Sequence, residues 1–500
     1  MAATLWIDVE DLFEYARDNP RPSGIQRLAF ELYRTLRAQH GESGLVHFVR
    51  HDRVRNSFRS VPWPEVAALF LGLTTEDRPP PTRVRAIQPR PPAWLFMRRL
   101  VHRLPPSVRV PLIETLRTQA GAWRAWGRLA GALAHGARRL PVRLALRRAG
   151  TPDPRSNDFA SLSAPGDLLL VLGAPWSHPD YAGLIRTQRE QCGLRVAMLV
   201  YDLIPIRHPE WCDCGLVRLF RARFDSVLPL CDAVFAISRA TSADVTAYAR
   251  ERGIVLPEPV VPLPIGTGFG TEPASVVALR TKRLPPPGSY ALFVSTIEAR
   301  KNHILLFRVW QRLLQEMPRE QVPTLVFAGR IGWLVEDLMH QIANTDYLDG
   351  ALMVVENPTD AEVAALYQGC LFTLFPSLFE GWGLPVTESL AFGKPCLIAD
   401  RTSLPEAGGK LARRFDPDNL HDAYAAIRDV IEDRIGLARW ETQVRREFRP
   451  VPWSATVDAL LAGLGHPLAN SGEGTTASVP MTSAVGTDAI KEPATDMGDR

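Results

Sequence analysis

The stretch LFTLFPSLFEGWGLPVTESLAFGKPCLIAD, Leu371 to Asp400, decides the fold class. Its two ends, LFTLFP (371–376) and PCLIAD (395–400), are continuous apolar runs of strand length. Runs without alternation mark strands buried on both faces. Between them, Val386, Leu390 and Ala391 follow a helical period. Strand, loop, helix and strand in that order make a parallel crossover unit. Pro385 suits the start of the helix, where a missing N–H leaves nothing unpaired. Gly381 and Gly383 let the backbone take positive φ or approach a ligand closely. On this reading Glu380 lies in the loop and Glu388 in the first turn of the helix. A solvated loop acid and a carboxylate favoured by the helix dipole account for them. Two acceptors for paired sugar hydroxyls account for them as well.

The same alternation continues outward in both directions. Strands are expected at YALFVST (290–296), TLVFAG (324–329) and ALMVV (351–355). The helix between the first two carries Leu305, Leu306, Val309, Trp310, Leu313 and Leu314 on a 3.6-residue period. Toward the N-terminus, TLWIDVEDL opens a first series. It continues through DLLLVLGAPW (167–176), LRVAMLVYDLIPI (194–206) and DAVFAISRAT (232–241), with SADVTAYARERG as a following helix. Another helical period runs through Ile25, Leu28, Leu32 and Leu36, so Ser23-Gly24 sits at a helix start. The Pro-rich VLPEPVVPLPIGTGFG and RLPPPGSY separate the two series. The expected division is an N-terminal domain over 1–270, a linker over 271–288 and a second domain over 289–445. A helix over 446–465 is expected to pack back on the first domain. The Ser/Thr/Gly/Ala-rich segment 466–500 lacks the apolar surface to fold and reads as a disordered tail. In such sheets ligands sit beyond the carboxyl ends of the strands, so a cleft between the domains is the expected site.

Composition narrows the class. With 46% hydrophobic and 22% charged residues the chain reads as a globular protein, and its 500 residues exceed a single ordinary core. No apolar run approaches the roughly 20 residues needed to span a bilayer, and the start lacks a secretory pattern. Six scattered cysteines read as free thiols, and Cys212-Asp-Cys214 has no second ligand pair at zinc spacing, so no metal site is expected. The cytoplasm is the expected compartment. Arg78 to Arg148 holds sixteen arginines, no lysine and a single carboxylate, Glu114. This basic helical insert, about 78–150, reads as an anionic membrane surface element, a solvated helical addition or a nucleic-acid face. Aromatic and leucine neighbours favour the membrane reading and a peripheral place at the inner membrane face, with no nucleic-acid partner expected.

The strand-end loops carry the candidate chemistry. After YALFVST come Arg300, Lys301 and Asn302, the last placed to cap a helix. A planar guanidinium beside an ammonium suits a diphosphate, although a solvated basic turn has the same residues. Arg330 follows the next strand in the same way.

STIEARKNH (295–303), FAGRIGW (327–333) and FEGWGLPVTESLAFGKP (379–395) resemble the C-terminal domain of the family-4 retaining glycosyltransferases. DRTSLPEAGG (400–409) resembles that family's next loop, and Glu380 and Glu388 stand at its paired-glutamate signature. SGIQRLAFEL (23–32), VYDLIPIRHPEW (200–211) and FAISRAT (235–241) resemble a bacterial subgroup that includes mannosyltransferases of surface-polysaccharide assembly. The resemblance implies the GT-B fold, two Rossmann-like parallel-sheet domains facing a cleft. It implies a retaining transferase that moves a sugar, best taken as mannose, from a nucleoside-diphosphate sugar to a glycan or lipid-linked acceptor. GDP-mannose is the implied donor, a substrate rather than a cofactor, and no metal is implied. Arg300 and Lys301 would hold the diphosphate and Glu380 the donor sugar, with Asp202 or His208 facing that sugar. Gly24, Arg330, Gly381, Trp382, Gly383, Leu384 and Glu388 would line the donor site, Glu388 accepting from ribose. Two departures stand out: Tyr201 replaces a histidine common in relatives, and the Arg-rich segment matches nothing in the family core. The competing readings are another enzyme on the same fold, such as a phosphorylase or sugar-nucleotide epimerase, and a non-catalytic scaffold.

Overall fold

The computed structural model describes residues 3–19, 21–53, 55–74, 159–174, 178–256, 259–268 and 284–466. The Arg-rich insert, most of the expected linker and the tail beyond His466 lie outside the described residues.

Two sheets organise these residues. The first runs β3-β2-β1-β4-β5-β6-β7. Its strands are β1 (Leu5–Asp8), β2 (Val46–Asp52), β3 (Ser57–Val61), β4 (Leu168–Val171), β5 (Arg195–Val200), β6 (Ala233–Ala236) and β7 (Val261–Pro262). The second runs β10-β9-β8-β11-β12-β13. It comprises β8 (Tyr290–Val294), β9 (Thr324–Gly329), β10 (Leu352–Glu356), β11 (Phe372–Phe375), β12 (Cys396–Ala399) and β13 (Arg413–Phe415). All pairings are parallel except the edge hairpin β2–β3. These are the two α/β domains expected. The antiparallel edge was not anticipated, because His47, Arg50, Asp52 and Arg59 break the apolar runs of that hairpin.

Each sheet reverses its order of growth once, at β1/β4 in the first and at β8/β11 in the second. Such a switch point opens a crevice, because the loops on its two sides depart in opposite directions. The loops that follow β8 and β11 carry Arg300-Lys301 and Glu380, so the sheet order by itself brings them together.

Local chemistry sets two boundaries shorter than the sequence suggests. β5 stops at Val200, and Ile204–Arg207 is a short helix rather than more strand. Pro205 cannot donate to a ladder, while Asp202 Oδ1 accepts from Ile204 N at 3.0 Å and turns the chain. β6 stops at Ala236 because Ser238 caps the helix Arg239–Arg252, accepting from Thr241 N at 2.9 Å.

The last described helix lies in the first domain. Helix Trp453–Gly463 places Val457, Leu460 and Leu461, all fully buried, in the core that also holds Leu5, Ile7 and Leu32. It is fastened by Trp453 Nε1 to Gly268 O at 2.8 Å and Thr456 Oγ1 to Pro264 O at 2.6 Å. The preceding helix, Arg434–Glu447, buries Leu437, Trp440 and Val444 in the second domain.

Candidate active site

Three loops build the site. The first leaves β8, turns at Ala299–Lys301 and enters the helix His303–Glu316 through Asn302 in the left-handed region, φ 57°. Asn302 stands at the cap position, but its side chain does not cap. Its amide donates to Pro417 O at 3.1 Å instead, because left-handed backbone turns the side chain away from the helix N–H groups. The second loop follows β11 and enters the helix Leu384–Ala391 through Gly383 at φ 108°, with Pro385 in the first turn. Glu388 is the fifth residue of that helix, so it begins the second turn rather than lying in the first. The third loop leaves β5 and carries Tyr201 and Asp202.

Arg300, Lys301 and Glu380 form one partly buried ion cluster. Arg300 Nη1 donates to Glu380 Oε2 at 2.8 Å, and its Nη2 to Glu298 Oε1 at 2.7 Å. Lys301 Nζ donates to the other oxygen of Glu380. Burial alone would raise the Glu380 carboxyl, but the Lys301 and Arg300 charges overcome it and hold it at about 2. Burial and the charge of Arg300 push the Lys301 ammonium below its ordinary value. Burial pushes the Asp202 carboxyl up against the opposing charge of Arg300, so this aspartate belongs to the same electrostatic unit. Beneath the cluster, His303 is buried and paired with Ser295 Oγ at 3.1 Å. Burial and the nearby Lys301 charge push its imidazole down to about 3, which keeps it neutral.

The Glu380 loop is fixed from below. Its N–H donates to Thr402 Oγ1 at 3.0 Å, and Ser403 Oγ donates to Glu380 O at 2.9 Å and Trp382 O at 2.8 Å. Gly381 admits the first domain, since a Cβ there would lie 2.1 Å from Tyr201 O. Trp382 packs against the cores of both domains. Gly24, at the N-terminus of helix Gly24–His40, faces Leu384 across the same boundary. His208 stacks on Trp211 at 4.3 Å and lies 4.9 Å from Phe379, its Nδ1 3.0 Å from Glu210 Oε1. Arg330 is exposed at the cleft edge, where its charge reaches Tyr15 of the first domain. It joins no hydrogen bond of the Arg300 cluster. Among the described residues no group of three or more His, Cys, Asp or Glu side chains is placed to hold a metal ion, and no helix is long and apolar enough to cross a membrane.

The family model for glycosyl transferases group 1 matches residues 280–447. These residues are a group 1 glycosyl transferase domain. The chain is also 25% identical to the serotype-specific mannosyltransferase WbdA of Escherichia coli over 283 residues, covering 54% of this chain and 34% of that protein. It is 31% identical over 144 residues to the O-antigen chain mannosyltransferase B of Escherichia coli, covering 29% of this chain and 37% of that one. The chain thus spans about a third of the length of these curated relatives. Among solved structures, Anabaena Alr3699/HepE in complex with UDP aligns with a TM-score of 0.45 and 15% identity, over 60% of this chain and 78% of that one.

The group 1 domain meets the first domain through contacts that sequence reading did not identify. Arg21 Nη1 donates to Asn357 O at 3.0 Å and Pro358 O at 2.7 Å. Arg27 Nη2 contacts both oxygens of Asp360, at 2.7 and 2.9 Å. On the other side of the cleft, Glu406 accepts from Arg239 N and Ala240 N at 2.9 Å each, capping a helix of the opposite domain. Trp333 Nε1 donates to Trp211 O at 2.8 Å. At the first domain's own switch point, Asp11 accepts from Gln26 Nε2 at 3.0 Å and from the Ala174 backbone, and burial raises its carboxyl to about 6. Gln26, Arg27, Trp211, Arg239 and Trp333 lie within the quoted motifs, but nothing local in those motifs named their partners. Glu406 was visible only as part of DRTSLPEAGG, and its partners lie more than a hundred and sixty positions away. Tyr201 turns its hydroxyl to Leu172 O at 2.6 Å and brings its backbone carbonyl to Gly381.

Proposed function

We propose that the chain transfers a sugar from a nucleoside-diphosphate sugar to a glycan or lipid-linked acceptor, as a retaining glycosyltransferase of cell-surface polysaccharide synthesis. Mannose from GDP-mannose is the preferred donor reading, in keeping with the mannosyltransferase relatives. The observation that carries the proposal is the ion cluster at the β8/β11 switch point. Two partly buried cations there act by their charge on Asp202 of the opposite domain.

In the unliganded state Glu380 neutralises Arg300 and Lys301. A donor diphosphate offers the same cations more negative charge and replaces the carboxylate as their partner. Glu380 then turns to the sugar hydroxyls. As the sugar–phosphate bond breaks, Arg300 and Lys301 stabilise the charge building on the leaving nucleoside diphosphate, the kind of preorganised electrostatic effect worth about 3–4 kcal/mol per donor. They serve where other transferases use a metal ion. Asp202 and His208 approach from the first domain, on the side of the developing oxocarbenium charge. The cytoplasmic face of a membrane is the proposed place of action, with the basic insert as its contact to anionic lipid.

The test is nucleotide protection together with a donor screen. GDP or UDP should raise the melting temperature of the wild type, and the Arg300→Ala/Lys301→Ala variant should lose that response. A panel of nucleotide sugars, screened for slow hydrolysis, identifies the donor. A wild type indifferent to every nucleoside diphosphate removes the transferase reading.

A further inference from the structure

The described residues that hydrogen-bond the Glu388 carboxylate reduce to one. The Tyr367 hydroxyl reaches Oε2 at 3.1 Å and Pro385 O at 3.3 Å. A phenol has a single proton to give, and a carboxylate is a stronger acceptor than an amide carbonyl. The ring is 1% exposed and stacks on Phe392 at 5.3 Å and 15°, so the hydroxyl cannot swing aside. Burial raises the Glu388 carboxyl, and the Tyr367 hydrogen bond opposes that rise by supporting the charged form.

The helix that carries Tyr367, Asp360–Gly369, is itself anchored by a Thr359/Glu362 capping box. Asp360 and Tyr367 are seven positions apart and therefore share one face of it. Asp360 engages Arg27 of the first domain, a cation whose charge also favours ionised Glu388. One end of the helix thus occupies Arg27 while the other steadies Glu388 with a neutral donor. The carboxylate is fixed at Oε2 and keeps Oε1 as an acceptor.

We propose that Tyr367 is a positioning residue that holds Glu388 so that its second oxygen reads the ribose 2′-hydroxyl of the donor nucleotide. This rests on the donor-site reading above. The consequence is a preference for ribonucleoside over 2′-deoxyribonucleoside diphosphates that depends on a residue touching neither. A hydrogen bond to a charged acceptor is worth about 1.5–3 kcal/mol, so the wild type should prefer the ribose form by about 10- to 100-fold.

The experiment measures dissociation constants of GDP, UDP and their 2′-deoxy counterparts for the full chain by calorimetry. Tyr367→Phe should lower the ribo/deoxy ratio several-fold while leaving affinity for the deoxy form nearly unchanged. Phe392→Leu, which loosens the ring without touching Glu388, should lower it by less and serves if Tyr367→Phe does not fold. In a Glu388→Gln background the Tyr367→Phe effect on the ratio should vanish. If Tyr367→Phe weakens both forms equally or changes neither, the residue is only structural and the proposal is overturned. A wild type that binds ribose and deoxy forms alike removes the ribose assignment of Glu388. One that binds no nucleoside diphosphate removes the donor-site reading with it.

Discussion

The carbonyl oxygen of Tyr201 occupies the place where a side chain on Gly381 would begin. A Cβ built on Gly381 lies 2.1 Å from that oxygen and 3.2 Å from Ile237 Cδ1. The glycine therefore sets how closely the two domains approach at the site. Gly381→Ala must push the domains apart, because backbone on the opposite side cannot yield as a flexible side chain would. Displacements near 1 Å cost about 100-fold in rate. Donor turnover should fall by about that factor, and small-angle scattering should show an expanded particle. An alanine variant with unchanged rate and dimensions would dismiss the close-approach role.

Glu380→Gln separates the two tasks assigned to that glutamate. The amide keeps the shape but no longer competes with a diphosphate for Arg300 and Lys301. Nucleoside diphosphates should bind about tenfold tighter, a gain of about 1.4 kcal/mol, while sugar transfer slows. Stability should respond in the opposite direction. The carboxyl lies at about 2 against an ordinary 4.5, so its stabilisation is complete above 4.5 and disappears as pH falls through 2. Melting curves of variant and wild type should diverge at neutral pH and converge in acid. A constant gap between them at every pH would contradict the ion-cluster account.

Asp11 predicts a pH dependence of the reverse sense. Its carboxyl stands at about 6 against an ordinary 3.8, so the folded state holds the proton more tightly than the unfolded chain. Its contribution is most favourable below 3.8, declines as pH rises through 6 and is level above that. Asp11→Asn cannot titrate, so its stability relative to wild type should grow from pH 4 to pH 8, by on the order of 1–3 kcal/mol. Urea unfolding at both pH values measures this, and parallel profiles would refute it.

Leu460 is fully buried in the first domain although it follows the second in sequence. Leu460→Ala should cost about 2–5 kcal/mol through lost burial and the cavity left behind. Scanning calorimetry should show the loss in the first-domain transition. A variant whose second-domain transition falls instead would place the helix wrongly.

The sequence by itself determined most of the alternation of strands and helices and the place of Arg300, Lys301 and Glu380 along it. Apolar runs, the 3.6-residue period and the glycine and proline positions are local, so Glu380 reads as a loop acid and Arg300-Lys301 as a strand-end pair without any fold. It also placed Glu388 within one residue of its true turn. Only the tertiary structure decided what these residues touch. Glu380 meets Lys301 from 79 positions away and Glu388 meets Tyr367 from 21, through strand order that no local pattern encodes. Gly381 read as a glycine for positive φ or a close approach, and the close approach in the structure is to the Tyr201 backbone. Asn302 looked like a cap, and its left-handed φ sent its amide to Pro417 instead. The physical reason is the same in each case. Periodicity reports which face of an element is buried, whereas partner identity depends on how the sheets are ordered and how two domains close on one another.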